Sequence, residues 1–464
     1  MRETDRIIDN YAEEMTVCLQ EMIRIPSVKD KPAPNAPFGE NIKKALDYTL
    51  ALCGKLGFET KNVDGYAGYA QLPGEASEQL GILCHLDVVP AGEGWLHPPF
   101  NGLLENRTIY GRGAVDDKGP AVSAIYALKA LKDAGARFKK TPRLIFGCDE
   151  ESGWECMEYY AQKVGMPDMG FSPDADYPII NTEKGIYHAQ LKKKLNLCGN
   201  YTLSIHGGTR ANVVPDSAQA HIEGNIDKLA EVLLDYDCAS NGLSFTAQKN
   251  VLDITSKGIS AHASQPFMGQ NAFFPLLELL DKLSLGGEEG HIVQMLNCAF
   301  VNKTDGSGIS GLKIQDEFGP LTINLGLLDA GSFYGGEDGE ISLTLDVRFP
   351  VSYSYQYIED NLSKFFNGWT LIRGHVQAPH HTPEKHELVQ ALKKVYKEYF
   401  GREGKCLAIG GGTYARALKT GVAFGITPEG EISPAHNKEE SISVQQLILN
   451  AKVFAAAIEE LACK

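Results

Sequence analysis

The segment Ile82-Leu83-Cys84-His85-Leu86-Asp87-Val88-Val89 constrains this chain most. An apolar run of this length reads as a buried strand, and residues two apart on a strand share one side. His85 and Asp87 therefore leave the strand on one face, which is half of what a metal site needs. Comparable pieces follow downstream. Gly111-Arg112-Gly113 leads into Asp116-Asp117-Lys118-Gly119, Asp149-Glu150-Glu151 follows Leu144-Ile145-Phe146, and His436 sits in Ser433-Pro434-Ala435-His436-Asn437. Each alone has an ordinary reading. A strand histidine is usually a hydrogen-bonded packing residue, and an acidic triplet is usually a solvated loop or a helix start, where carboxylates suit the dipole. Jointly they point to a site, because the groups fall just beyond apolar runs and sites in open α/β sheets collect beyond the carboxyl ends of strands.

A chain of 464 residues exceeds what one core usually holds, so two or more domains are expected. Strand-like runs alternate with helical patterns over 43–185, which is α/β wiring. After Lys184 the pattern becomes an α+β series, with alternating segments at 187–196, 200–206 and 217–224. From about 383 a helical pattern (Leu388, Leu392, Val395, Tyr396, Tyr399) and a closing helix over 443–461 return the chain to the first domain. This predicts one domain from 1–185 and 383–464 and an inserted domain over 186–382. The insert reads as a duplication. The strand after Asn212-Val213-Val214-Pro215-Asp216 and the strand Leu343–Arg348 both look like closing strands of a split β-α-β unit, giving two ferredoxin-like units.

A net charge of −15 spread without a basic stretch disfavours nucleic acid and anionic membranes as partners. The charged start Met1–Arg6 runs into an amphipathic helical pattern, so it reads as neither a signal peptide nor an anchor, and no apolar run approaches spanning length. Ten scattered cysteines without a CxxC pair suit the reduced thiols of a cytoplasmic protein. Cys84 reads as packing beneath His85.

The order HLDVVP, YGRGAVDDKGP, DEESG, FSPDADYP and SPAHN resembles the co-catalytic zinc metallopeptidases, which include peptidase V, carnosinase, carboxypeptidase G and the aminoacylases. The resemblance covers nearly the whole chain. Its SPDADYP-type segment, the GGGTYAR run at 410–416 and the long insert look nearest to the bacterial peptidase V dipeptidases. It implies an α/β catalytic domain with a mixed sheet flanked by helices, and an α+β lid whose doubling within one chain makes a monomer. It also implies two divalent ions, one held by His85, Asp116 and Asp174, the other by Asp116, Glu151 and His436. Imidazole with carboxylate and no thiolate suits Zn first, with Mn or Co as alternatives. The implied reaction is hydrolysis of dipeptides with a free N-terminus, with Glu150 as general base.

The residues themselves leave choices open. Asp116 and Asp117 are adjacent, as are Glu150 and Glu151, and Asp174 competes with Asp176; the family motifs select Asp116 as bridge, Glu151 as ligand and Asp174 as ligand. They also imply a cis peptide after Asp116. Asp87 is the expected acceptor of the His85 ring N–H, fixing its tautomer, or else a solvent-facing strand end. By resemblance His262, in Ala261-His262-Ala263-Ser264-Gln265-Pro266, stabilises the oxyanion, and Asn212 and Arg348 hold the substrate carboxylate, for which a guanidinium fork is suited. Gly411, Gly412 and Thr413 are expected to bring backbone N–H groups near substrate. His380 and His381 are excluded as ligands because the set is already full. Two other readings compete: an N-acyl-amino-acid deacylase or carboxypeptidase using the same ions, and a non-catalytic binding protein on this scaffold.

Overall fold

The computed structural model describes residues 2–196, 201–331 and 338–464. It divides into two compact units. The first comprises Met1–Thr182, His381–Leu407 and Gly412–Lys464, the second Glu183–His380 and Ala408–Gly411.

The first unit is built on a mixed sheet. Its strands run in the order Glu59–Val63, Ala67–Gln71, Thr141–Gly147, Gln79–His85, Met169–Ser172, Gly421–Ala423, Ile179–Glu183 and His380–His381. The centre is parallel: Gln79–His85 pairs in parallel with both Thr141–Gly147 and Met169–Ser172. Parallel strands are covered on both faces and read as continuous apolar runs. Accordingly Gln79–His85 is buried from Leu80 onward. Strand Ala67–Gln71, on the far side of Thr141–Gly147, shows the covering directly. A Cβ on Gly68 would run into Leu46 and Leu50 of helix Glu40–Lys55, while the ring of Tyr69 meets Tyr160 of helix Glu155–Lys163 edge-on. Successive residues of a strand face opposite sides, so helices lie on both. Helices Lys118–Asp133 and Val444–Ala462 pack on each other and on Gln79–His85. The register sets His85 against Gly147, so two chain segments leave the sheet at one edge, carrying Asp87 and Asp149–Glu151.

The second unit is an eight-stranded antiparallel sheet: Leu243–Gln248, Val251–Lys257, Ser217–Gly224, Tyr201–Gly207, Thr322–Gly331, Asp338–Phe349, Gly185–Asn196, Thr370–Gln377. It consists of two four-stranded halves joined where Tyr201–Gly207 pairs with Thr322–Gly331. In one half Ser217–Gly224, helix Asp227–Asp235 and Leu243–Gln248 enclose Val251–Lys257; in the other Asp338–Phe349, helix Tyr355–Phe365 and Thr370–Gln377 enclose Gly185–Asn196. Each half is thus a split β-α-β unit. The strands after Asn212–Asp216 and over 343–348 hold equivalent places, but they open these units instead of closing them, because in each half the helix and the second outer strand follow them in the chain.

One segment departs from the layout read from the sequence. Ala408–Gly411 groups with the second unit, held by the Lys184 N–H on the Ile409 carbonyl at 2.9 Å and by Arg348 Nη1 on the Gly410 carbonyl at 2.6 Å. Among the described residues no helix is long and apolar enough to cross a membrane, and nine cysteines are free.

Candidate metal centre

His85 ends its strand with its side chain 1% exposed, and its Nε2 lies 2.8 Å from Asp116 Oδ1 and 3.5 Å from Asp174 Oδ2. On the other side of Asp116, Oδ2 lies 2.9 Å from His436 Nε2, which is itself 3.0 Å from Glu151 Oε1. Two clusters able to hold an ion result, His85 with Asp116 and Asp174, and Asp116 with Glu151 and His436, sharing Asp116. The Asp116–Asp117 peptide is cis. Asp117 sits outside both clusters; its Oδ2 accepts the backbone N–H of His85 at 2.9 Å.

The donor set fits divalent cations. His85 Nε2 and Asp116 Oδ1 are buried and face each other at 2.8 Å, yet neither makes a hydrogen bond of proper geometry, with the other or with any third group, although buried polar atoms are almost always paired. The charge balance points the same way. Burial, then the charge of neighbouring Asp116, pushes the Glu151 carboxyl up to about 7 and raises Asp174 as well. Burial dominates at Glu150 too, with Asp174, Glu151 and Asp116 adding to it, so its carboxyl stands well above the usual range. For Asp116 burial works upward but is outweighed by the contacts with His436 and His85, which hold it well below that range. For His436 burial works downward, and Asp116 and Glu151 overcome it, raising the imidazole to about 11. Carboxylates crowded around two imidazoles in this way call for added positive charge.

Asp87 does something other than expected. The His85 Nδ1 nitrogen is 2.9 Å from the backbone carbonyl of Asp87 and 3.6 Å from its carboxylate. The carboxylate instead accepts the backbone N–H groups of Glu150 at 3.1 Å and Glu151 at 3.0 Å. The carbonyl is the nearer partner because the carboxylate is already aimed at two donors across the sheet edge. The same acidic turn is held from outside by Lys29, whose Nζ lies 2.6 Å from Asp149 Oδ1.

In the second unit Val213 and His262 form an antiparallel bridge, so the segments carrying Asn212 and His262 run side by side. His262 Nδ1 is 2.7 Å from Ser264 Oγ. Arg348 is buried against Asp346, with Nε to Oδ1 at 2.6 Å and Nη2 to Oδ2 at 2.7 Å, and His188 Nε2 reaches the same carboxylate at 2.9 Å. The glycine run has local structural work as well. A Cβ on Gly412 would meet the Arg416 guanidinium at 2.9 Å, and Thr413 Oγ1 caps the turn Tyr414–Ala417 by accepting from Ala415 N at 3.1 Å. Gly411 has room for a Cβ. His381 is 2.9 Å from Thr182 Oγ1 and belongs to neither cluster.

Two residues of the site escaped the sequence reading. Glu440 is fully buried and accepts from Gly113, Val115 and Asp116 backbone N–H groups, and Arg112 pairs with it at 2.6 Å. The GRG and NKEE contexts look like a loop and a solvated charge run, and only their spacing from Asp116 and His436 hinted otherwise.

The model of peptidase family M20/M25/M40 matches residues 81–460. A Bacillus subtilis protein named "Putative dipeptidase YtjP" is 40% identical and the match covers 97% of each chain. Among solved structures, human carnosine dipeptidase 1 matches with a TM-score of 0.59 at 15% identity, covering 98% of both chains. The dipeptidase Dug1p of Saccharomyces cerevisiae matches with a TM-score of 0.60 at 15% identity, covering 99% of this chain and 98% of its own.

Proposed function

The chain belongs to peptidase family M20/M25/M40 and is a metallopeptidase, and on that footing we propose that it hydrolyses dipeptides with two divalent ions, zinc first, and Glu150 as general base. The observation that carries this is the sharing of Asp116 by two ligand clusters, with His85 and Asp174 on one side and Glu151 and His436 on the other. When bound there, paired ions polarise the scissile carbonyl and ease deprotonation of water.

The side chains then have separable tasks. Asp116 offers one oxygen to each cluster, so it fixes their separation. Glu150 lies beside ligand Glu151 and is assigned to take a proton from the attacking water and return it to the leaving amine. Asp87 orients both glutamates through their backbone N–H groups. His262 is assigned to donate to the developing oxyanion, with Asn212 and the remaining Nη protons of Arg348, whose Nε and Nη2 face Asp346, recognising the substrate carboxylate and Gly411, Gly412 and Thr413 lining its approach. The doubled sheet of the second unit favours a monomer, and the chain's composition favours the cytoplasm.

The test is a comparison of ordinary dipeptides with N-acetyl amino acids on zinc-loaded protein. Higher kcat/KM on dipeptides supports the proposal. A clear preference for the acetylated set makes the chain a deacylase, and no turnover of either set, or of longer peptides, favours a binding role.

A further inference from the structure

Glu440 lies in the run Asn437-Lys438-Glu439-Glu440, where a solvated carboxylate would be ordinary, yet it is 0% exposed. Its Oε1 accepts three backbone N–H groups, from Gly113 at 3.0 Å, Val115 at 2.9 Å and Asp116 at 3.1 Å. Its Oε2 accepts from Arg112 Nη1 at 2.6 Å. Arg112, also buried, extends the same fork to the carbonyl oxygens of His436 at 3.2 Å and Asn437 at 3.3 Å, and to that of Ala91 at 3.4 Å. His436 stands at φ +63°, a left-handed conformation uncommon outside glycine. Its carbonyl is one of those the guanidinium holds.

A buried ion pair adds little stability by itself, because the cost of removing both charges from water offsets their attraction. What this pair does provide is geometry. It joins the backbone of Asp116 to that of His436, two residues far apart in sequence, and it touches neither His85 nor Asp174. We propose that Arg112 and Glu440 are positioning residues that jointly set the approach of Asp116 and His436, and so govern binding of the ion assigned to Asp116, Glu151 and His436 more than that of its neighbour. This rests on the two-ion reading of the site.

The experiment titrates zinc ion alone into metal-free protein against a chromophoric chelator, for the wild type, Glu440→Gln and Arg112→Lys, with circular dichroism as a check on folding. Glutamine keeps the volume but cannot accept on both sides. Lysine keeps the charge but loses the fork. The wild type takes up two equivalents. In the variants one equivalent weakens about 10–100-fold, the usual cost of losing a partner that orients a ligand, while the other, identified as the one that Asp174→Ala weakens, changes less. Both equivalents within two-fold of wild type overturn the proposal, as does an equal weakening of both, which would mark a general packing defect. If Glu440→Gln does not fold, Arg112→Lys supplies the same two constants. A wild type that binds fewer than two ions overturns the two-ion reading instead.

Discussion

The carboxylate of Asp87 receives the backbone N–H of Glu150 at 3.1 Å, and its second oxygen receives that of Glu151 at 3.0 Å, so one side chain couples the strand that ends in His85 to the acidic turn beside it. Asp87→Ala leaves two half-buried donors without their acceptor and lets the turn move. Activity should fall about 10–100-fold, the range for partners that orient metal ligands, and Asp87→Asn, which can still accept one N–H, should fall between. Wild-type kcat/KM in Asp87→Ala would show that the turn holds itself.

Glu150→Gln should keep both ions and lose about 10²–10⁴-fold in kcat, the typical worth of a general base. Metal analysis alongside steady-state kinetics checks this. Activity within a few-fold of wild type would move the role to Glu151 or another group.

Asp116→Ala should bind neither ion tightly, since each cluster loses a ligand at once. Full occupancy of both would rule out the bridge. Asp174→Ala, by contrast, should weaken only one equivalent.

His262→Ala should lower kcat by about 10²–10³-fold, as for other oxyanion donors, with metal content and substrate affinity little changed. Near wild-type kcat on a good dipeptide would contradict the assignment and pass it to Asn212 or Arg348.

Stability of the second unit should depend on pH through Asp346. Burial works upward on this carboxyl, and Arg348 and His188 outweigh it, bringing it down to about 2. An unfolded Asp titrates near about 3.9. The folded value is the lower, so the contribution is present above pH ~4 and is lost as pH falls through about 2. The difference corresponds to about 2–3 kcal/mol. Asp346→Asn should therefore unfold more readily than wild type near neutrality, and the gap should close between about pH 4 and 2. A gap that stays constant over that range would contradict this.

The sequence exposed the parts of fold and site that are written locally. The buried strand Gln79–His85 carries an unbroken apolar run, and His85, Asp116, Glu151, Asp174 and His436 each stand in short motifs. Edge elements were less legible. Strand Thr370–Gln377 is mostly exposed and Leu243–Gln248 is buried only at its first residue, so neither shows a clear alternation. Helix Gly287–Phe300 is preceded by Gly286, opens on Gly287 and contains Gly290, which hides an apolar stripe of Ile292, Val293, Leu296 and Phe300. Glu440 was illegible for another reason: its burial depends on Arg112 and the 113–116 backbone, and nothing local records a pairing across the chain. The same holds for Asp87, where sequence supplies the residue but cannot say whether its carbonyl or its carboxylate faces the His85 ring.

The proposed site works only with two ions that have Asp116 as a common ligand. Its most direct test is to strip the protein of metal with a chelator and restore zinc stepwise while following hydrolysis of one dipeptide. The stripped protein should show no turnover, and activity should rise with added zinc and saturate at two equivalents per chain. Undiminished hydrolysis after complete removal of metal, or full activity at one equivalent, would contradict it.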